Sequence, residues 1–397
     1  MRALAGLLRG GPALHEPHWL QAAAYAAVLT LAMCWPVWPG LMSYDSLLAY
    51  EQTFTGVRTM TWPPMHTYLF WLSRNLGAGA GGLFAAQTFI LFFGAAAALN
   101  LLAASRKIAL LAQAVFAGAF LWIPALLGPA LALWRDAPTA SFTLLGLALW
   151  LAGARARSPA FLVAAAAAMG MAAALRYNAV MLLVGVAPLM VVQPYLGRAA
   201  GAGARLLVAL ALIASLGLAW ASTQWRLPDL HRPGRADNFA GTQLFDLFGM
   251  SYCTGRNLLP GAVTEGATVT GEQLRRAYDP RHLQLTLAPK PGLPRFFETD
   301  GRGEVQRAWR WAAPREFGCY LRHRLRVFAQ QMGASRGGLY YAVHDRIDDN
   351  RFGITLARPA AARQLTDYLL DHAGAAWRRP ALLYILAAAV AALAIRR

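Results

Sequence analysis

The chain has 397 residues, 57% of them hydrophobic and only 14% charged, with a formal net charge of +18. Soluble domains carry about 25% charged residues, and several runs here stay nearly uncharged over membrane-spanning lengths. This excludes an ordinary soluble enzyme and indicates an all-α polytopic membrane protein; a soluble Ala-rich bundle would need polar helix faces, and segments such as 206–221 have none. The positive charge does not read as a nucleic-acid footprint. Ten bases (Arg2, Arg9, Arg106, Lys107, Arg155, Arg157, Arg198, Arg205, Arg396 and Arg397) sit just beyond apolar runs, as cytoplasmic anchors do. Another 23 lie between 223 and 379 among 15 acids, with no DNA- or RNA-recognition motif, so membrane lipids with anionic head groups are the expected partners.

The basic N-terminal tail is long, the apolar run behind it exceeds a signal-peptide core, and no small-x-small site follows it. The first predicted element is therefore an uncleaved span at 19–40, its exit loosened by Pro36 and Pro39. Segment 44–54 reads as a helix along the interface. Segment 62–76 is aromatic and short, a half-span or juxtamembrane helix. After a Gly/Ala hinge at 77–82, spans are predicted at 83–104, 108–127, 139–152, 160–175, 179–192, 206–221 and, beyond a long polar region, 380–395.

Eight spans with both termini in the cytoplasm place every short basic end inside. Asp45, Glu51, Arg58, Arg135, Asp136, Arg176 and the region 223–379 then face outward. The expected organisation is a transmembrane module over 1–222 with a first outward loop at 41–66, a mainly helical and irregular extracytoplasmic domain over 223–379, and a final transmembrane helix over 380–397. In that domain Leu321, Leu325, Phe328 and Met332 recur at i, i+4, i+7 and i+11, opposite Arg322 and Arg326. Such a stripe suits either the domain core or the membrane interface. Cys34 falls in the first span. Cys253 and Cys319 share the polar region and could pair in an oxidising compartment; two inert thiols are the expectation.

Apart from Glu16, the first 222 residues hold only three acids: Asp45, Glu51 and Asp136. Asp45 either caps the helix that follows it, as Ser43 could, or serves as a general base. Glu51, six residues on, is off the Asp45 face of a regular helix. His66, at the start of an aromatic helix, has the ordinary role of a satisfied interfacial histidine. Arg135 and Asp136 fit a structural ion pair at a helix start, with Pro138 in the first turn. Arg176 ends an uncharged span, where it either snorkels to the interface or clamps a phosphate. The acidic run His344-Asp345 with Asp348-Asp349-Asn350 matches no standard metal loop and reads as a solvated surface.

Four short motifs together resemble the GT-C superfamily of integral-membrane glycosyltransferases: Ser43-Tyr44-Asp45 after the first span, Trp62-Pro63-Pro64-Met65-His66 opening the next helix, Trp134-Arg135-Asp136 before a span and Leu175-Arg176-Tyr177-Asn178 ending one. In the polar region, 245–251 and 311–324 resemble segments of a poorly characterised bacterial branch. Some relatives carry His-Pro-Pro where this chain has Trp62-Pro63-Pro64, and the first outward loop lacks a tight Asp-x-Asp pair. The resemblance implies a sugar donor linked to a polyprenyl phosphate or pyrophosphate, and transfer to a hydroxyl of a glycan, lipid or protein outside the bacterial inner membrane. Asp45 would be the base, with Arg135, Arg176 and Arg58 on the donor phosphate and Asp136, Glu51, His66 and Tyr44 in support. No cofactor is specified, and a divalent cation stays open. A lipid or glycan flippase, and an O-antigen polymerase or ligase, are the competing expectations.

Overall fold

The computed structural model of the chain describes residues 18–56, 63–156, 158–180, 206, 209–215, 217, 240–296, 302–334, 343–375 and 379–386. Arg58 and the span expected at 179–192 fall almost wholly or wholly outside them, as do large parts of those at 206–221 and 380–395. The described residues are helical, without a β-strand and with two isolated β-bridges. They divide into two compact units, one of Met1–Pro233, Ala342–Arg378 and Tyr384–Arg397 and the other of Gly234–Tyr341 and Arg379–Leu383. The second unit is thus shorter than the 223–379 set by composition, because 342–378 folds with the apolar helices.

The first unit holds α1 (Trp19–Val37), α2 (Tyr44–Thr55), α3 (Met65–Asn75), α4 (Gly79–Leu102), α5 (Arg106–Trp122), α6 (Pro124–Leu131), α7 (Asp136–Ala156) and α8 (Pro159–Leu175). The second holds α9 (Ala240–Thr254), α10 (Gly271–Ala277), α11 (Leu283–Leu287), α12 (Arg302–Arg315) and α13 (Phe317–Gln331), and α14 (Pro359–Ala373) belongs again to the first. By length and composition α1, α4 and α7 suffice to cross a membrane; α5 and α6 would make a fourth span together, but bend by 77° at Ile123. Pro124 explains the break: it supplies no N–H to a continuing helix and biases Ile123 away from the helical region, where φ and ψ are −97° and 111°. α8 is apolar but only 17 residues long.

α4 packs against both α1 and α7, and α7 packs on α8. Small residues allow the close approach. A Cβ on Gly94 would stand 2.6 Å from the backbone nitrogen of Leu145, and one on Gly146 would run into Met169. Near the far ends of these helices Gln113 is buried and joins three elements. Its amide donates to Asn100 Oδ1 (2.8 Å), its Oε1 accepts from Gln21 (2.5 Å), and Asn100 donates to Gln21 (2.8 Å).

In the second unit α9 packs on α10, α12 and α13 around Leu244, Leu247, Phe248 and Met250. Asp246 is fully buried there and is compensated. Its Oδ2 accepts from Trp309 Nε1 and Arg324 Nη2, each at 2.8 Å, while His323 Nε2 stands 3.3 Å from Oδ1 and His323 Nδ1 bonds the Tyr278 hydroxyl at 2.8 Å. Cys253 and Cys319 form a disulfide between α9 and α13, correcting the expectation of two inert thiols. Their spacing in sequence does not reveal that the two helices lie side by side.

Candidate active site

The site is built on a short extended segment. Gly40, with φ of +108°, turns the chain out of α1; a Cβ there would press on Phe84 and Leu133 as well. Residues 41–42 are then held from both sides. Leu41 N–H donates to Leu131 O (3.0 Å), and Leu133 N–H to Leu41 O (2.9 Å). On the other flank Met42 N–H donates to Arg346 O (3.2 Å), and Asp348 N–H to Met42 O (2.9 Å). Side chains lock the same register: Trp134 Nε1 donates to Ser43 Oγ, and Ser46 Oγ to Leu133 O, both at 2.9 Å. These bonds bring the start of α2 beside the start of α7.

Ser43 is the N-cap of α2, yet its side chain makes no bond to that helix. The Tyr44 N–H instead donates to Asp348 Oδ2 at 2.9 Å. The local cap expected from Ser43 or Asp45 is therefore supplied from three hundred residues away. Asp45, in the first turn of α2, is left with its carboxylate 3.8 Å from Arg135 Nη2. Asp136 pairs with Arg176. The ion pair expected between Arg135 and Asp136 is thus replaced by two crossed pairs, because neighbouring residues at a helix start project in different directions. Arg176, expected either to snorkel or to clamp, is held by Asp136 and by Asn178 Oδ1 at 3.0 Å. The two guanidiniums sense each other: burial first, then the Arg135 charge, lowers the proton affinity of Arg176.

A cavity of about 110 Å³ opens among Asp45, Gln52, His66, Thr67, Arg135 and Asp136, with Pro63, Leu133 and Trp134 completing its wall. One side is ionic. The other is neutral, with buried Gln52 accepting from Thr67 Oγ1 at 3.2 Å. His66 is buried at 6% exposure, its ring 4.8 Å from Phe70 and its Nε2 without a hydrogen-bond partner. Burial, and then the Arg135 charge, pulls its pKa down to about 3. It is a neutral imidazole with an open nitrogen, not the satisfied interfacial histidine expected.

Two supporting candidates lie off this cavity. Glu51 pairs with Arg351 Nη2 at 2.7 Å, and Tyr44 is exposed; neither lines the wall. Gln52 and Thr67 carry no charge, so the sparse acids and bases of the sequence do not mark them. The signal was present: Asp45, Ala49 and Gln52 recur at i, i+4 and i+7, one face of a helix, and all three line the cavity. Among the described residues no group of three or more His, Cys, Asp and Glu is placed to hold a metal ion. His344 pairs with Asp348 at 3.3 Å within the acidic run.

α1 ends and α4 and α7 begin at the cavity end, so Arg106, Lys107 and Arg155 lie at the other end of these helices. Comparison with protein-family models, with characterised proteins and with solved structures finds no match.

Proposed function

We propose that the chain is a membrane glycosyltransferase that moves a sugar from a polyprenyl phosphate or pyrophosphate to an acceptor hydroxyl on the extracytoplasmic face. The observation that carries this reading is the two-sided cavity. Arg135, Asp45 and Asp136, the last held by Arg176 from outside the lining, stand beside a neutral wall of amide, hydroxyl and imidazole. A phosphate is matched by planar guanidiniums, and sugar hydroxyls by neutral groups that both donate and accept.

In the proposed mechanism the donor phosphate displaces Asp45 from Arg135, while Arg176 stays held by Asp136. Asp45, released from Arg135, accepts the proton of the acceptor hydroxyl. The acceptor oxygen forms its bond to the anomeric carbon as the bond from that carbon to the phosphate oxygen breaks. The electron pair leaves with the lipid phosphate, whose new charge the two guanidiniums stabilise. Asp136 orients Arg176 rather than Arg135, and His66, Gln52 and Thr67 hold the sugar.

Sidedness follows from the basic ends. Arg106, Lys107 and Arg155 belong in the cytoplasm by the positive-inside bias, which turns the cavity outward, and the disulfide of the second unit fits an oxidising compartment. The broken α5–α6 pair is the one feature that favours a flippase or transporter, where discontinuous helices carry substrate. Against it, the ionisable residues described here gather at helix ends rather than within spans. Purified protein in liposomes, given a synthetic polyprenyl-phosphate sugar and an acceptor glycan, should release polyprenyl phosphate with stoichiometric sugar transfer. Movement of intact donor across the bilayer without cleavage would establish the transporter instead.

A further inference from the structure

The apolar stripe of α13 does not enter the core of the second unit. Phe317, Leu321, Leu325 and Phe328 are 46–59% exposed. At 3.6 residues per turn they fall within an arc of about 80°. The opposite face does the internal packing: His323 and Val327 are buried and Cys319 is disulfide-bonded to α9, while Arg324, at the edge of the stripe, reaches inward to Asp246. The stripe is therefore a deliberate second surface, on a helix pinned from behind.

Charge and continuity identify what covers it. α13 carries Arg322, Arg324 and Arg326 and no acid, and Glu316, just before it, is taken by Arg256. Arg322 and Arg326 are exposed on the flank of α13 beyond the stripe, where Arg326 also lies over the Tyr252 ring of α9. The C-terminal end of the helix is fastened to residues that open the last apolar segment: Ala381 N–H donates to Met332 O at 3.2 Å, and Arg379 Nη1 to Gly333 O at 2.8 Å. A helix with an apolar face and an arginine flank, tied to the start of the segment expected as the last span, has the make-up of an interfacial helix. We propose that α13 lies in the surface of an anionic bilayer, with Phe317, Leu321, Leu325 and Phe328 among the lipid acyl chains and Arg322 and Arg326 at the head groups. The proposal is independent of the catalytic assignment.

The test uses the full chain in liposomes containing an anionic phospholipid. A carbene-generating probe confined to the acyl region is photolysed, and modified residues are mapped by mass spectrometry. Modification of Phe317, Leu321, Leu325 and Phe328, at levels like those of the outward-facing Val28 and Leu31 of α1 and without modification of Val327, is the expected result. Arg322→Gln with Arg326→Gln should reduce that labelling several-fold in anionic vesicles while leaving α1 labelling unchanged. A stripe left unmodified while Val28 and Leu31 are labelled overturns the proposal. So does a zero-length crosslink joining α13 to a second copy or to another part of the chain in place of lipid labelling. Leu321→Glu with Leu325→Glu, checked for an intact Cys253–Cys319 disulfide, should abolish stripe labelling in a folded protein; persistence of labelling at Phe317 and Phe328 in that variant also overturns it.

Discussion

The Arg135 guanidinium turns to Asp45, 3.8 Å away, and not to Asp136 beside it in the chain, which Arg176 holds. Each cation of the site is thus masked by a carboxylate from a different element. In the proposed mechanism a phosphate entering the cavity competes with Asp45 for Arg135, and that competition couples donor binding to the release of the base.

Asp45→Asn keeps the size and hydrogen bonding of the side chain and removes its basicity. Sugar transfer should fall by about 10²–10⁴-fold, the usual contribution of a general base, with membrane insertion and yield unchanged. Steady-state transfer at saturating donor, alongside a quantified membrane fraction, checks it; full activity in the variant removes Asp45 from the role.

Asp136→Asn separates stability from activity. The Asp136–Arg176 pair is more than a third exposed on both sides, and pairs of that kind contribute no more than about 1 kcal/mol. The melting temperature should hardly move, while the KM for donor rises as Arg176 loses its orientation. A donor titration beside thermal melting gives both numbers.

His66 imposes a pH dependence on stability. Its folded pKa, about 3, lies below the unfolded value of 6.5, so the unfolded chain binds more protons between the two. Stability is complete above pH 6.5 and declines as pH falls toward 3. Melting curves from pH 7.5 to 4.5 should show the parent losing more stability than His66→Gln. Transfer by the parent should show no loss attributable to His66 protonation between pH 5 and 8.

Reduction tests the second unit. The Cys253–Cys319 bond closes a separation of 66 residues, for which chain entropy gives on the order of 4 kcal/mol. Cys253→Ser should lower the melting transition accordingly, and intact-mass measurement with and without reductant should show the two-proton difference in the parent alone.

Gln113→Leu should loosen α1, α4 and α5, since its side-chain bonds to Gln21, Asn100 and the Ala96 carbonyl are lost where lipid offers no replacement; about 1–2 kcal/mol is the scale for such contacts in membranes. Detergent unfolding reads the loss, and transfer measured below the transition should be retained.

The apolar helices were legible because burial in hydrocarbon demands long uncharged runs: α1, α4 and α7 begin and end within a few residues of their predicted limits. The break at Ile123 was less so, because the residues on both sides are equally apolar and only Pro124 marks it. The face shared by Asp45, Arg135, Asp136 and Arg176 could be read from the positions of the span ends. Which carboxylate meets which guanidinium could not, since side-chain direction at a helix start depends on how α2 is set against α7. His66 was misjudged for the same reason. Its burial comes from tertiary packing over the cavity, and local composition carries no trace of it.

The hold on residues 41–42 by 346–348 has a consequence for synthesis. A nascent chain that has already inserted α1 through α8 still lacks one flank of the segment that aims Asp45. The missing flank, 346–348, lies about 170 residues beyond the end of α8. Fragments truncated before 343 should therefore reach the bilayer with their apolar helices in place and show no sugar transfer, and the proposed chemistry should appear only in chains that include 343–348.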